Sequence, residues 1–242
     1  MSEMKLPKIF KPRHDFKLER IGKDNDGGYL TCVNSIKQTK SLISLGIYDD
    51  WSFEKHFRVK NKRINIVMYD KSLSFLFLVK RVIIETIKLF IPGRIKNFKK
   101  SLVNIFEYFL FTRNKFINKN INKKNFTKIL SRKYNNIFLK IDIEGAEYQL
   151  LDTIVKNDYK IEGINIEFHN IYKNLDKIKK FLKNINLELV NIHPNNFKYN
   201  RPDILELSFS KKPKIKNKKY SYPNNLDMKN DPRNENIQIK FY

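Results

Sequence analysis

The sequence predicts an α/β protein with a mainly parallel sheet, helices on both faces and an inserted helical hairpin. Apolar runs at residues 41–46, 64–70 and 137–142 indicate buried strands. The second and third runs end in an acidic residue, and a helical pattern follows the third. Strands that alternate with helices are typical of a parallel sheet covered on both faces.

The first part of the chain is less regular. Residues 1–19 are basic and interrupted by proline, which indicates an irregular arm or a short leading helix. Residues 22–28 have turn chemistry and lead into a strand or hairpin arm at 29–33. A helix is expected to begin near Trp51, with Asp50 or Ser52 available as its cap.

The last part of the chain completes the predicted sheet. Residues 164–169 give a further strand, and apolar residues at helical spacing follow it from Leu175 to Leu182. Strands at 187–193 and 204–209 are joined by a loop rich in Asn and Pro. We expect these two strands to form a hairpin at one edge of the sheet.

The middle of the chain predicts an amphipathic helical hairpin. Residues 75–91 are apolar except for four charged positions, which fall within an arc of about 140° on a helix. A second apolar-periodic segment, 95–111, follows Pro92 and Gly93. We expect a cap buried against the domain, because apolar helical faces are usually core. A lid over the acceptor site and a basic surface lying on a membrane are the alternatives.

The length of 242 residues is enough for one well-buried domain. We assign residues 1–210 to it, with a helical insertion at about 72–133, and 211–242 to a basic, solvated and mobile tail. The single cysteine, Cys32, indicates a reducing compartment. The first residues lack the apolar segment of a signal peptide, and no 18-residue stretch is free of charge. A cytoplasmic protein with no transmembrane segment is therefore expected.

The net charge of +24 is unevenly distributed. Residues 71–133 contain 16 Lys or Arg and only two acids, Glu85 and Glu107, so they supply +14 of the total. Such a basic insertion indicates an anionic membrane surface or nucleic acid as a partner. Generic solvated surface, enriched in lysine by the codon bias of an AT-rich genome, is the competing interpretation.

Four short segments carry a family resemblance. They are Asp26-Gly27-Gly28-Tyr29, the run SLGIYDDWSFE at 44–54, the run IFLKIDIEGAEY at 137–148, and Glu167-Phe168-His169. In that order and at those separations they resemble the FkbM-type branch of the methyltransferases that depend on S-adenosylmethionine (SAM). The resemblance covers about residues 20–70 and 135–210, including the two closing strands.

The resemblance implies a Rossmann-like class I methyltransferase fold and SAM as the cofactor. It also implies an O-methyltransferase that acts on a hydroxyl of a sugar, a polysaccharide precursor or a similar small metabolite. Members of the branch commonly accompany polysaccharide assembly, so a glycan or small-molecule acceptor is expected.

A SAM site needs close backbone approach and a carboxylate for the ribose hydroxyls. Gly46 permits the approach because it has no Cβ, although Tyr48 stands where the family often has a second glycine. Asp70, at the end of the next strand, is the predicted ribose acceptor, as the analogous acid is in dinucleotide folds. Asp26, Gly27 and Gly28 precede the first core strand and are expected to fold over the cofactor pocket.

The third strand end collects the acids Asp142, Glu144 and Glu147. Such carboxylates could orient the amine of the donor, hold a metal or act as a base. Asp142 is predicted to serve both cofactor and catalysis, and no metal is expected. His169 is the predicted proton acceptor, ahead of His193 and Asp142, because imidazole titrates near neutral pH. A purely structural hydrogen-bonding role for His169 is the alternative.

Two other functions fit parts of the sequence. An RNA methyltransferase would explain the charge, and Lys140, Asp142 and Glu167 could surround a ribose hydroxyl. A membrane-peripheral binding module with an inactive methyltransferase core would use the 75–111 hairpin as its working surface.

Overall fold

The structure, a computed structural model, describes residues 2–112, 115–132, 134–198, 200, 202–217, 220 and 222–242. The strands are β1 (Glu3–Leu6), β2 (Asp15–Phe16), β3 (Leu18–Ile21), β4 (Tyr29–Cys32), β5 (Ser41–Leu45), β6 (Asn65–Asp70), β7 (Phe116–Asn118), β8 (Ile137–Ile141), β9 (Ile161–His169), β10 (Glu188–Pro194), β11 (Ile204–Ser210), β12 (Ile215–Asn217) and β13 (Gln238–Phe241). The α-helices are α1 (Val33–Gln38), α2 (Ser52–Lys60), α3 (Phe75–Ile87), α4 (Ile95–Glu107), α5 (Lys123–Ser131), α6 (Leu151–Lys156) and α7 (Leu175–Asn184).

A seven-stranded sheet forms the centre of the fold, in the order β10-β11-β9-β8-β5-β6-β7. The five strands from β9 to β7 run parallel, and β11 is antiparallel to both β9 and β10. The mainly parallel sheet and its edge hairpin are therefore confirmed. The chain leaves β5 toward β6 on one side and returns to β8 on the other, so the order reverses at β5. In open α/β sheets ligands bind beyond the carboxyl ends of the strands at such a point.

Both faces of the sheet are covered, because successive strand residues point in opposite directions. On one face, Ile43 and Leu45 of β5 belong to the cluster that includes Phe126 of α5, Ile154 of α6 and Phe181 of α7. On the other face, Leu42 of β5 packs in the cluster that holds Ile36 of α1 and Phe57 of α2. Near-continuous burial along β5, β8 and β9 follows from this double cover.

The prediction for residues 1–19 is correct in part, since a 3-10 turn at Lys8–Phe10 and irregular stretches are present, but the strands and their burial were not expected. This segment forms the short strands β1 and β2 and the first strand of a hairpin, β3 paired antiparallel with β4. Met4, Leu6 and Phe10 are fully buried, so the apolar residues spaced among the lysines belong to the core. The turn at residues 22–28 is confirmed as the connection between β3 and β4.

The segments assigned to the insertion and the tail contribute to the fold. Residues 72–133 hold, besides the α3–α4 hairpin, strand β7 at the edge of the sheet and α5 on its face. In the tail, β12 pairs with β2, and β13 runs parallel to β1. Asn230, Asp231 and Ile237 are buried, so the expected mobile tail is corrected to a packed extension. Its lysines at 218 and 219 lie outside the described residues.

The helical hairpin is confirmed, but its expected burial is not. α4 runs on into a π-helical turn at Tyr108–Thr112, and a short 3-10 turn follows α3 at Lys88–Phe90. The buried residues of the two helices are Leu78, Glu85, Ser101 and Asn104, whereas most of their large apolar side chains are exposed. Among the described helices, none is both long and apolar enough to cross a bilayer.

The packed tail predicts a stability effect at Ile237. This side chain is 2% exposed and belongs to the main core cluster with Met4 and Leu6. We expect Ile237→Ala to lower the free energy of unfolding by about 2–5 kcal/mol, because it leaves a cavity among buried side chains. The matched control is Ile215→Ala in the same tail, where the side chain is 55% exposed. The control should change stability by less than about 0.5 kcal/mol in the same urea titration. Equal effects of the two substitutions would contradict the packed tail.

Candidate active site

A cleft of about 930 Å³ opens at the carboxyl ends of β5, β6 and β8. The turn between β3 and β4 forms one side of it, and the segment after β7 forms another. Six carboxylates line this cleft: Asp26, Asp49, Asp50, Asp70, Asp142 and Glu144. Five lysines line the cleft as well, so its carboxylates are nearly balanced by cations: Lys23, Lys71, Lys100, Lys119 and Lys140.

Gly46 is the point of closest backbone approach in the cleft. Its φ is +76°, and a Cβ built on it would overlap the carbonyl oxygen of Asp142. The glycine is therefore required by the contact between the ends of β5 and β8. Tyr48 also adopts a left-handed backbone, with φ of +46°, which explains why a glycine would suit that position.

Asp70 lies in the wall of the cleft, and the protein already uses its carboxylate. Oδ2 accepts hydrogen bonds from the backbone N–H groups of Ile47 (3.0 Å) and Tyr48 (2.8 Å). Oδ1 accepts from the N–H groups of Ser72 (2.6 Å) and Leu73 (3.2 Å) and from the Ser72 hydroxyl. Burial raises the pKa of Asp70, but these hydrogen bonds outweigh it and leave the pKa below its ordinary value. Asp70 thus holds the loop that follows Gly46.

The turn between β3 and β4 reaches the cleft through Asp26 and Gly27. Gly27 has φ of +85°, and its missing Cβ leaves room for Asp50, which also forms an ion pair with Lys23. Burial raises the pKa of Asp26, partly offset by a hydrogen bond from Asn230 at 3.5 Å. Gly28 lies behind the turn, where a Cβ would overlap the carbonyl oxygen of Lys23.

Lys140 is a buried cation at the centre of the site, and the sequence singled it out only for the RNA alternative. Its Nζ donates to the carbonyl oxygen of Gly46 (2.6 Å) and lies 3.5 Å from Asp142 Oδ2. Burial lowers the pKa of Lys140, but Asp142, Glu54 and Glu167 together raise it above its ordinary value. The side chain therefore stays charged, which neutralises part of the surrounding acidity.

His169 lies between two buried carboxylates. Its Nε2 is 3.1 Å from Glu167 Oε1, and its Nδ1 is 3.5 Å from Glu147 Oε1. Burial lowers the pKa of His169, but the contacts with Glu147 and Glu167 outweigh it and raise the pKa to about 10. The ring is therefore protonated at neutral pH, which disfavours the role of a free imidazole base that the sequence predicts.

Glu147 has a structural part in this arrangement. Its Oε1 accepts a hydrogen bond from the backbone N–H of His169, and its Oε2 accepts one from the backbone N–H of Gly145, each at 2.7 Å. It thereby ties the turn after β8 to the end of β9. The turn itself contains Glu144 and Gly145 with φ of +49° and +100°. Glu144 lines the cleft, whereas Glu147 is fully buried below it.

Asp142, Glu167 and His169 are residues that could hold a divalent cation. Their ligand atoms lie within 4.8 Å of one another, and two carboxylates with one imidazole are a suitable donor set. In this structure Glu167 uses both oxygens inside the protein, since Oε1 faces His169 and Oε2 accepts from Asn195 at 3.2 Å. Burial, followed by the charge of Asp142, raises the pKa of Glu167.

A second buried polar group adjoins the first and was missed from the sequence. Glu206 on β11 accepts a hydrogen bond from Asn230 Nδ2 (2.7 Å), and Asn230 Oδ1 is 2.9 Å from His193 Nε2. Burial raises the pKa of Glu206 to about 8. The sequence did contain a signal for this group, because Glu206 is the acid within a strand that is otherwise mostly apolar. His193, which the sequence ranks behind His169 as a base, contacts this group and is not among the residues that line the cleft.

Comparisons with known proteins give structural matches alone. No family model matches the chain, and no curated protein matches it. Among solved structures it is similar to a precorrin-6y C5,15-methyltransferase from Geobacter metallireducens, with 10% identity, a TM-score of 0.39 and coverage of 74% of this chain and 86% of that one. It is also similar to a fibrillarin/Nop5p complex structure, with 12% identity, a TM-score of 0.39 and coverage of 87% of this chain and 100% of that one. A Methanococcus jannaschii fibrillarin pre-rRNA processing protein is similar as well, with 12% identity, a TM-score of 0.37 and coverage of 83% of this chain and 84% of that one.

The geometry at His169 predicts a pH dependence. Its pKa of about 10 lies above the ordinary 6.5, so folding favours the protonated ring. The stability that the ring contributes is fully present below about pH 6.5 and is lost as the pH rises through about 10. In ¹⁵N-histidine NMR spectra we expect His169 to remain an imidazolium well above pH 6.5, and His193 to do the same. Burial lowers the pKa of His193, but its hydrogen bond to Asp227 raises it to about 9. The spectrum of His169→Gln assigns the signal, and a ring that deprotonates near pH 6.5 would contradict the contacts.

Proposed function

We propose that this protein is a SAM-dependent O-methyltransferase that acts on a hydroxyl of a sugar, a polysaccharide precursor or a similar small metabolite. The observation that carries the proposal is the cleft at the reversal of strand order, where Gly46 gives close backbone approach and six carboxylates gather. SAM carries a sulfonium and an amine, and carboxylates that line the cleft are the groups that can face these cations.

The residues present fit the cofactor. A volume of about 930 Å³ lies within the range of small-molecule sites. Gly46 lets the ends of β5 and β8 meet closely, which fixes the backbone at the floor of the cleft, and Gly27 brings the covering turn next to Asp50. We propose that Asp26, Gly27 and Gly28 form a turn over the cofactor and that Asp142 faces its amino-acid end. Bound there, SAM supplies an electrophilic methyl group.

We propose that Asp70 binds the ribose hydroxyls while it holds the Gly46 loop. The position supports this role, because Asp70 ends the strand next to Gly46 and lines the cleft. Its existing hydrogen bonds from Ile47 and Tyr48 give it a structural role as well. The two roles can be separated by experiment, since only one of them depends on the hydroxyls of the ligand.

Methylation of a hydroxyl releases one proton for each methyl group transferred, and this chain must accept it. The charged ring of His169 cannot take a proton while it lies between Glu147 and Glu167. Asp142 lines the cleft and is held by Lys140 and by Tyr29, whose hydroxyl is 3.5 Å from Oδ2. We therefore propose Asp142 as the proton acceptor and His169 as a positioning residue that fixes Glu167.

A ribose hydroxyl of RNA is the second candidate acceptor. Lys140 and Asp142 lie together, and Glu167 is close enough for its charge to raise the pKa of Lys140. A lysine and acids placed around the target hydroxyl are the groups that methylation of a ribose hydroxyl would use. Methyl transfer from labelled SAM into RNA, measured beside transfer into nucleotide sugars, decides between the two acceptors.

Asp70→Ala is expected to weaken SAM binding about tenfold or more, because removing a buried acceptor costs about 1–3 kcal/mol. The measurement is calorimetric titration with SAM and with an analogue that lacks both ribose hydroxyls. If Asp70 binds the ribose, the variant should lose clearly less affinity for the analogue than for SAM; some loss for both is expected because Asp70 also holds the Gly46 loop. An equal loss for both ligands would show that Asp70 only holds the loop. Ser72→Ala, which removes one donor to Asp70 and keeps the carboxylate, is the matched control.

At saturating SAM, Asp142→Asn is expected to lower turnover by about 10²–10⁴-fold, the usual effect of losing a positioned base. Its affinity for SAM should fall by less, because Asp142 also faces the amino-acid end of the cofactor. His169→Gln should lower turnover less and should change its dependence on pH, because it leaves Asp142 in place. The measurements are turnover against pH with the methylated acceptor and SAM affinity by calorimetry. A full loss in His169→Gln beside parental turnover in Asp142→Asn would assign the base to His169 instead.

A further inference from the structure

The α3–α4 hairpin exposes most of its large apolar side chains, although Phe77, Leu78 and Ile105 pack against the core. Of the residues buried in the two helices, Glu85, Ser101 and Asn104 are polar and only Leu78 is apolar. The outer surface holds the apolar side chains: Phe75, Leu76, Ile83, Ile84, Ile87, Phe90, Ile91, Ile95, Leu102, Val103, Phe106, Phe109 and Leu110 are all exposed. Among the described residues, more than half of the large apolar side chains that are exposed lie at positions 75–110.

The exposure is greatest near the turn of the hairpin. Phe90, between the two helices, is 96% exposed, and Ile87 beside it is 69% exposed. Exposed apolar side chains concentrated in one hairpin mark an interaction site, whereas single exposed side chains scattered over a surface need no explanation.

The charges on this hairpin have one sign toward the solvent. Lys80, Lys96 and Lys99 are exposed. The two acids of the segment are used inside the protein. Glu85 is buried, with Arg94 3.9 Å away, and Glu107 accepts a hydrogen bond from Trp51 Nε1 at 2.7 Å. The outer surface therefore combines apolar side chains with lysines.

The polar inner side attaches the hairpin to the cleft. Asn104 Nδ2 donates to the carbonyl oxygen of Asp49 at 2.9 Å, and Arg81 forms an ion pair with the Asp49 carboxylate at 3.1 Å. Lys100 lies 3.6 Å from the same carboxylate. These contacts explain why the polar residues face inward: Asp49 is buried and needs partners.

We propose that the outer face of the α3–α4 hairpin docks on the surface of an anionic lipid bilayer and holds the mouth of the cleft beside it. Apolar side chains would enter the boundary between headgroups and acyl chains, and the lysines would meet the anionic headgroups. A second copy is disfavoured because it would bring lysines against lysines on chains of charge +24. A nucleic acid would leave the aliphatic side chains of Ile87 and its neighbours in contact with water.

The test is co-flotation of the full chain with vesicles of phosphatidylcholine alone or of equal parts phosphatidylcholine and phosphatidylglycerol. We expect binding to the anionic vesicles that weakens at high salt. The double substitution Ile87→Ser with Phe90→Ser should weaken it about tenfold or more, because both side chains lose the apolar contact with the bilayer that stabilises the bound state. Lys96→Gln with Lys99→Gln should have an effect of similar size, about tenfold or more.

Matched controls remove exposed apolar side chains or exposed lysines elsewhere on the surface. Val59→Ser with Tyr159→Ser removes side chains that are 69% and 64% exposed outside the hairpin. Lys180→Gln with Lys183→Gln removes two exposed lysines of α7. Both controls should float like the parent. Calorimetric titration with SAM on every variant shows separately whether the cleft functions, so failure of docking and failure of the proposed methyl transfer are distinguishable.

Three results would overturn the proposal. One is failure of the full chain to float with anionic vesicles at low salt. Another is flotation that the hairpin substitutions leave unchanged. The third is self-association or RNA binding that the hairpin substitutions abolish while vesicle binding persists, which would assign the apolar face to another partner.

Discussion

The position of the loop after β5 is the constraint on which the rest of the site depends. Asp70, from β6, holds the N–H groups of Ile47 and Tyr48, while Lys140, from β8, donates to the carbonyl oxygen of Gly46. The loop is thus fixed from both neighbouring strands. Gly46 itself must lack a side chain, because the carbonyl of Asp142 occupies the place of its Cβ. Backbone held this way is preorganised, and a ligand that binds there needs little further ordering.

Burial of the acids around this loop explains the electrostatics of the site. Burial raises the pKa of Glu167, Glu206 and Asp26, so the cluster as a whole resists full ionisation. Lys140 and the imidazolium of His169 compensate part of the remaining negative charge. The site therefore separates its carboxylates into two environments. Asp142 faces the cleft, whereas Glu147 and Glu167 lie behind it and hold His169.

The central sheet could be predicted from sequence because its strands are continuous apolar runs with distinctive ends. The strands that lead into Gly46, Asp70 and Asp142 were all placed correctly. These three residues line one cleft together with Asp26 and Gly27. The short strands β1, β2, β12 and β13 could not be predicted, because each has only two to four residues and pairs with a segment about 200 positions away. The charge on His169 also depends on distant partners, since Glu147 and Glu167 reach it only in the folded chain.

The hairpin shows where periodicity alone misleads. Its pattern of apolar residues correctly predicted two helices, but the pattern does not state which side faces the protein. That choice follows from the buried polar partners, Asp49 and Trp51, which attract Asn104, Arg81 and Glu107 to the inner side. Because Asp49 lies in the same loop as Gly46, the hairpin and the cleft share one anchor. The inner side also takes Phe77, Leu78 and Ile105, which pack against the core. The remaining large apolar side chains of the hairpin have no room there and lie on its outer face.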